Sequence, residues 1–408
     1  MWSIKLPAEI NHPHNGVFKE AMYNVGMKRK EVIVVLCAVA FAGLGALILL
    51  YGSTSSTRVG SSRVMAVSDS VPPALNKAAY DAKMLELANN PPLNHCGPSS
   101  ALTLTKAARP GIKRTSASDR LPTVMTKDAV FHPCPAPLWP VHTVYPNAGA
   151  ILPFKRIVAY YGNFYSKRMG VLGEYPPAQV ISMLTSAAHQ WAKADPATPV
   201  VPAVDYIVVA AQNVPGRDGM YRMRMPASHI EKAIAMANQI QGLVFLDVQP
   251  GWSTVEAEVP RLEQYLKEPN VELALDPEFS LVDGKKPGEY IGTMNAAQIN
   301  FAARFLAKIV QENNLPPKIL VVHRFTERMV TDYRAIKPLP EVQIVMDMDG
   351  FGAPALKTST YRSYIARQPV QFTGFKLFYK NDVRIGHHLM TPEEILRLSP
   401  RPSYILYQ

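Results

Sequence analysis

The chain has 408 residues, 48 % of them hydrophobic and 18 % charged, which is ample for a packed core and excludes wholesale disorder. Three cysteines exclude a disulfide-dense scaffold or a Cys-rich zinc framework, while twelve of the 36 prolines fall between residues 71 and 150. The formal net charge is +11, but residues 1–150 hold 15 Lys+Arg against 8 Asp+Glu and 151–408 hold 28 against 24, so no nucleic-acid partner is expected of the folded part.

In chain order, the first feature is the uncharged, Pro-free stretch from Val32 to Tyr51. Twenty residues at about 1.5 Å each span roughly 30 Å, the thickness of a bilayer core. Lys28, Arg29 and Lys30 precede it, which predicts residues 1–31 in the cytoplasm and the rest outside, bound by one retained transmembrane helix. A cleaved signal peptide is the alternative, disfavoured by the length of both the apolar stretch and the segment before it. Residues 52–153 then read as a Ser/Pro-rich extracytoplasmic linker with one short helix at 76–89, whose Tyr80, Met84, Leu85 and Leu87 lie partly on one side. Cys96 and Cys134 lie in this stretch, either bridged in an oxidising compartment or as two free thiols.

Beyond residue 153 short apolar runs alternate with helical segments. The runs at 157–162, 204–211, 243–248, 271–276, 318–325, 342–349, 375–379 and 404–408 are nearly continuous in hydrophobicity, as strands buried on both faces require. Helices are predicted at 177–192, 227–240, 254–267, 295–312, 359–366 and 392–397, with a weak one at 326–340. The clearest starts at an Asn295 cap and stops before Pro316-Pro317. Eight such strands over 154–408 predict an α/β fold, a (β/α)8 TIM-like barrel, with an open doubly wound sheet as the alternative. No helix follows the eighth strand, and part of 76–150 is expected to cover that gap.

In such barrels chemistry gathers at the strand C-termini. Those positions offer Tyr160 and Tyr161, then Asp247, Gln249 and Trp252, then Asp276 and Glu278, His323, Asp347, and finally Lys376 and Tyr379. Asp349-Gly350 reads as a turn dipeptide. In Leu275-Asp276-Pro277-Glu278-Phe279 two carboxylates sit at i and i+2, facing one way on extended backbone. A like charge beside it raises a carboxyl pKa, so Glu278 suits a general acid, Asp276 its partner, and Asp247 or Asp347 the base or nucleophile. Tyr160, Tyr161, Gln249, Trp252, His323, Lys376 and Tyr379 are the candidate substrate contacts.

The acid-x-acid in ELALDPE resembles the D-x-E end of the family-18 chitinase motif, although that family's preceding D-G-x-D is absent and Asn270, Val271 and Glu272 stand at the strand start. The resemblance implies Glu278 as proton donor and Asp276 as the group orienting the substrate. The segments FLDVQPG, LALDPEF, GTMNAAQIN, LPPKILVVHRF and MDMDGFG also resemble bacterial membrane-anchored extracytoplasmic barrel proteins of glycoside-hydrolase type. Three functions are therefore weighed. The first is a membrane-anchored glycosidase acting on a cell-envelope polysaccharide. The second is a non-catalytic barrel that binds or scaffolds within an envelope complex with protein partners. The third is a metal-dependent phosphodiesterase with Asp247, Asp276, Glu278, His323 and Asp347 as ligands. Neither a cofactor nor, on the first reading, a metal is expected.

Overall fold

The computed structural model describes residues 73–89, 138–282 and 284–408, all within one compact unit, Val71–Gln408. The expected cytoplasmic segment and transmembrane helix, most of the linker, and Cys96 and Cys134 lie outside the described residues. Among the described residues no helix is long and apolar enough to cross a membrane.

Eight parallel strands close into a barrel: β1 (Arg156–Gly162), β2 (Val200–Ala211), β3 (Leu243–Val248), β4 (Val271–Leu275), β5 (Lys318–Arg324), β6 (Val342–Met348), β7 (Phe372–Leu377) and β8 (Tyr404–Tyr407). Closure is explicit in the register, since β1 pairs with β2 through Arg156↔Val200 and with β8 through Ile157↔Tyr404. That pairing rules out the open doubly wound sheet. Seven of these eight strands are buried along their whole length and β2 is buried from Ala203 to Ala210, which accounts for their continuous apolar sequence. A short antiparallel strand, Arg222–Arg224, adds to the edge of β2, and Met294–Asn295 pairs with Val330–Thr331 outside the barrel.

The outer layer follows the predicted pattern with informative exceptions. The helix α1 (Lys77–Ala88) buries Tyr80, Met84, Leu87 and Ala88 and leaves Leu85 63 % exposed, a correction to its apolar face. The helix α2 (Pro177–Ala194) starts at a proline that loses nothing at a first-turn position. The helix α3 (Ala227–Asn238) stops two residues early. The expected helix at 254–267 breaks into Val255–Glu258, a 3-10 turn Val259–Leu262 and Glu263–Leu266, because Pro260 lacks the N–H a continuous helix needs. The helix α4 (Ala296–Asn313) carries a capping box between Asn295 and Gln298 and ends on Asn314 at φ 50°. Finally, 359–366 is the tail of a longer helix starting at Pro354, which widens into a π-helical turn over Tyr361–Ala366.

The segment expected to cover the missing eighth helix closes the strand N-termini instead. Asn89 Nδ2 donates to Leu398 O at 3.1 Å, and Arg401 N to Leu87 O at 2.6 Å, docking α1 on the approach to β8. Farther along, Ile151 N and Leu152 N donate to Gln343 Oε1, both at 3.1 Å, and Gln343 Nε2 returns a bond to Leu152 O. Backbone polar groups are thereby satisfied at the bottom of the barrel, which leaves its top free for chemistry.

Candidate functional site

At the C-terminal end of the strands lies a cleft of about 580 Å³, lined among others by Tyr161, Gln249, Asp276, Glu278, Asp349 and Lys376. Each arrives by strand geometry. Asp276 directly follows β4 and caps the 3-10 turn Pro277–Phe279, its Oδ1 accepting from Glu278 N at 3.2 Å. Its Oδ2 accepts from Gln249 Nε2 at 3.3 Å, and the same amide donates to the Tyr161 hydroxyl at 3.0 Å. Asp276 is thus both a turn-opening residue and a lining carboxyl. Pro277 stiffens the turn that carries Glu278 into the cleft.

Across the cleft Lys376 Nζ lies 3.1 Å from Asp349 Oδ1 and 3.7 Å from the centre of the Tyr161 ring. A second pair fixes the wall behind Asp349. Lys357 Nζ lies 2.8 Å from Asp382 Oδ2, with both side chains 1 % exposed, and donates to Gly350 O and Lys376 O. Asp382 in turn accepts from Gly352 N and Phe378 N, which ties the loop after β6 to the loop after β7.

Beneath the cleft floor sits a fully buried layer. His323 Nδ1 donates to Asp347 Oδ2 at 3.0 Å, while His323 Nε2 lies 3.8 Å from Asp247 Oδ2. His323 Nε2 has no hydrogen-bond partner among the described residues, while the Tyr161 hydroxyl faces the Asp247 carboxylate. One layer lower the Tyr404 hydroxyl donates to Asp205 Oδ2 at 2.6 Å.

These surroundings separate the protonation states. Burial, then Asp349, pushes Glu278 up to about 7. Burial and then Asp247 hold Asp276 well above the usual carboxylate range and raise Asp205 to about 8. Burial opposes the charged form of His323, but the bond to Asp347 and the charges of Asp247 and Asp349 outweigh it and raise the imidazole to about 10. Near pH 7 Glu278 is therefore about half protonated, facing a cleft that also holds the Lys376–Asp349 pair.

Of the candidates read from sequence, Tyr161, Gln249, Asp276, Glu278 and Lys376 come together in the cleft. Asp247, Asp347 and His323 lie beneath its lining, fully buried. The hydroxyls of Tyr160 and Tyr379 share a 2.8 Å hydrogen bond, and Tyr379 lines a neighbouring cavity. Trp252 packs against Tyr221 and donates to Lys285 O at 2.6 Å, away from the cleft lining. Sequence reasoning read Asp349 as a turn residue and passed over Arg168, Phe279, Phe325, Phe351 and Lys357, all of which line the cleft. Their signal is position: all except Lys357, nine residues past β6, follow a barrel strand within six residues. Among the described residues no group of three or more His, Cys, Asp or Glu is arranged to hold a metal ion.

No known protein family and no curated protein matches the sequence. Among solved structures the chain is similar to a GH5-4 broad specificity endoglucanase from Clostridium acetobutylicum, at 10 % identity over 62 % of this chain and 87 % of that one, with a TM-score of 0.35. A ruminal GH26 endo-beta-1,4-mannanase matches at 11 % identity over 62 % and 58 %, TM-score 0.31. GH26C from Muricauda sp. matches at 10 % identity over 65 % and 75 %, TM-score 0.26. Plasmodium falciparum HPPK-DHPS matches as well, at 8 % identity over 62 % and 44 %, TM-score 0.30, and scores of this size carry no argument; the barrel rests on its own strand pairing.

Proposed function

We propose that the chain is a membrane-anchored, extracytoplasmic glycoside hydrolase acting on a cell-envelope polysaccharide. The observation that carries this reading is the pairing across one cleft of a carboxyl raised to about 7, Glu278, with a second carboxylate, Asp349, held by Lys376. Hydrolysis of an acetal needs this division of labour. Glu278 gives its proton to the glycosidic oxygen as the C–O bond breaks. Asp349 faces the positive charge that develops on the sugar, as nucleophile or as the base that takes a proton from water. The spacing of the two carboxyls sets which. Asp276 holds the Glu278 turn, and Lys376 keeps Asp349 in place. Asp247, Asp347 and His323 support from below rather than touching substrate. Phe279, Phe325 and Phe351 offer apolar faces for sugar rings, with Phe351 49 % exposed at the rim.

The test uses the full chain and its Glu278→Gln variant, incubated with peptidoglycan and other wall polysaccharides. Released reducing ends from the wild type, abolished in a folded variant, support the hydrolase. Binding without release by either chain overturns it in favour of a non-catalytic envelope module. For location, the chain is expected to stay with the membrane through an alkaline carbonate wash and to be cut by protease added outside intact cells; release by the wash contradicts the anchor.

A further inference from the structure

Beside the cleft lies a second cavity of about 450 Å³ that shares Arg168, Phe378, Asn381 and Gln408 with it, so the two form one continuous depression across the top of the barrel. The second cavity has a different character. Its own lining includes Lys167, Lys380, Glu174, Tyr175 and Tyr379. Lys380 Nζ is engaged, 2.5 Å from Glu174 Oε1. The exposed Lys167 and Arg168 have no ion-pair partner among the described residues. The loop that carries them is held in place. Asn163 Nδ2 donates to Ile207 O at 2.9 Å, its Oδ1 accepts from Tyr165 N at 2.9 Å, and Arg168 N donates to Ser166 Oγ at 3.2 Å. The loop returns through Gly170 at φ 113°, where a Cβ would meet Tyr161 O at 2.5 Å. A close-packed loop thus presents two free cations over an aromatic-walled cavity, next to a cleft whose acid acts on a neutral acetal.

We propose that this second cavity is a subsite for an anionic sugar unit of the polymer, its carboxylate or phosphate taken by Arg168 and Lys167 while the neighbouring linkage lies at Glu278. An arginine fork matches either oxyanion, and a lysine beside it adds a point charge. The inference rests on the glycosidase reading for the identity of the ligand, but its test reads binding, so either can fail without the other. Full chain carrying Glu278→Gln, to prevent turnover, is titrated with oligogalacturonate, with the same oligomer after carboxyl reduction, and with poly(glycerol phosphate).

At least tenfold tighter binding of one or both charged probes over the neutral one is expected, and the probe preferred identifies the oxyanion. Adding Arg168→Glu or Lys167→Glu is expected to cut that preference to under twofold, and in Lys167→Glu, which lies outside the cleft lining, affinity for the neutral oligomer is expected to hold. The milder Arg168→Gln is expected to fall between, which separates charge from misfolding. Equal affinity for charged and neutral probes, no binding of either charged probe, or an unchanged preference in both charge-reversed variants overturns the proposal.

Discussion

Asp382→Asn removes one charge from the buried Lys357–Asp382 ion pair behind the cleft wall and keeps its shape. In the wild type, burial lowers the Lys357 pKa and Asp382 opposes that shift most strongly, 2.8 Å away. Without the carboxylate, Lys357 keeps two carbonyl partners but no counter-charge. The cheapest escape is to fold with a neutral amine, which costs about 4.6 kcal/mol at pH 7 for a group of ordinary pKa near 10.4. The amide also has one acceptor oxygen where Gly352 N and Phe378 N used two, adding about 1 kcal/mol. These add to an upper limit of about 5–6 kcal/mol, at the top of the roughly 3–5 kcal/mol usual for breaking a buried pair. The sign of its pH dependence follows. A variant that folds with neutral Lys357 binds fewer protons than its unfolded chain, so its stability rises with pH, by as much as ~1.4 kcal/mol per unit relative to wild type. Urea denaturation of both chains at pH 7 and pH 9 reads this directly. A pH-independent deficit, or one under about 1 kcal/mol, would refute the reasoning. Adding Lys357→Met is expected to recover part of the loss, as neighbours in one network do not add.

Further outcomes follow from the same structure. Glu272 and Glu278 at about 7, Asp205 at about 8 and His323 at about 10 are all raised above their unfolded values. Their contribution is complete only below the unfolded values, 4.5 for the glutamates, 3.8 for Asp205 and 6.5 for His323, and is lost as pH rises through the folded values; the urea midpoint should fall from pH 5 to pH 9, and a flat profile contradicts this. Gly374→Ala puts a Cβ 2.5 Å from Asp347 Oδ1, so a loss of about 1–3 kcal/mol should appear in the urea midpoint. Phe351→Ala removes a rim face that ground state and transition state share, so KM should rise about two- to tenfold with kcat unchanged. A fall in kcat alone would place Phe351 in the reaction instead.

The barrel was legible because a parallel strand buried on both faces writes a continuous apolar run, as in LVFLDV and VQIVMDM. The run at 375–379 misplaced β7 by three residues because Thr373 and Gly374 interrupt its hydrophobicity; Gly374 is there to make room for Asp347. Pro260 hid a break inside an otherwise periodic helix. At the site, Asp276 and Glu278 were readable from their spacing, although the turn that joins them is 3-10 rather than extended. Asp349 was not, since Asp-Gly looks like a turn until Lys376, 27 residues on, arrives beside it. Depth was the other hidden quantity. Asp247 and Asp276 both sit at or just past strand ends, yet only Asp276 reaches the cleft, because strand stagger sets height and local sequence does not.

The most direct measurement is the titration of Glu278 itself, which needs no substrate. Full chain labelled with 13C at glutamate side-chain carboxyls is followed by NMR from pH 4 to pH 9, and the same spectra of Glu278→Gln identify its resonance by difference. A midpoint near 7 is predicted, set by burial and by Asp349 across the cleft. A midpoint near 4.5, the ordinary value, would mean that Glu278 carries no proton at neutral pH and would contradict its assignment as the acid.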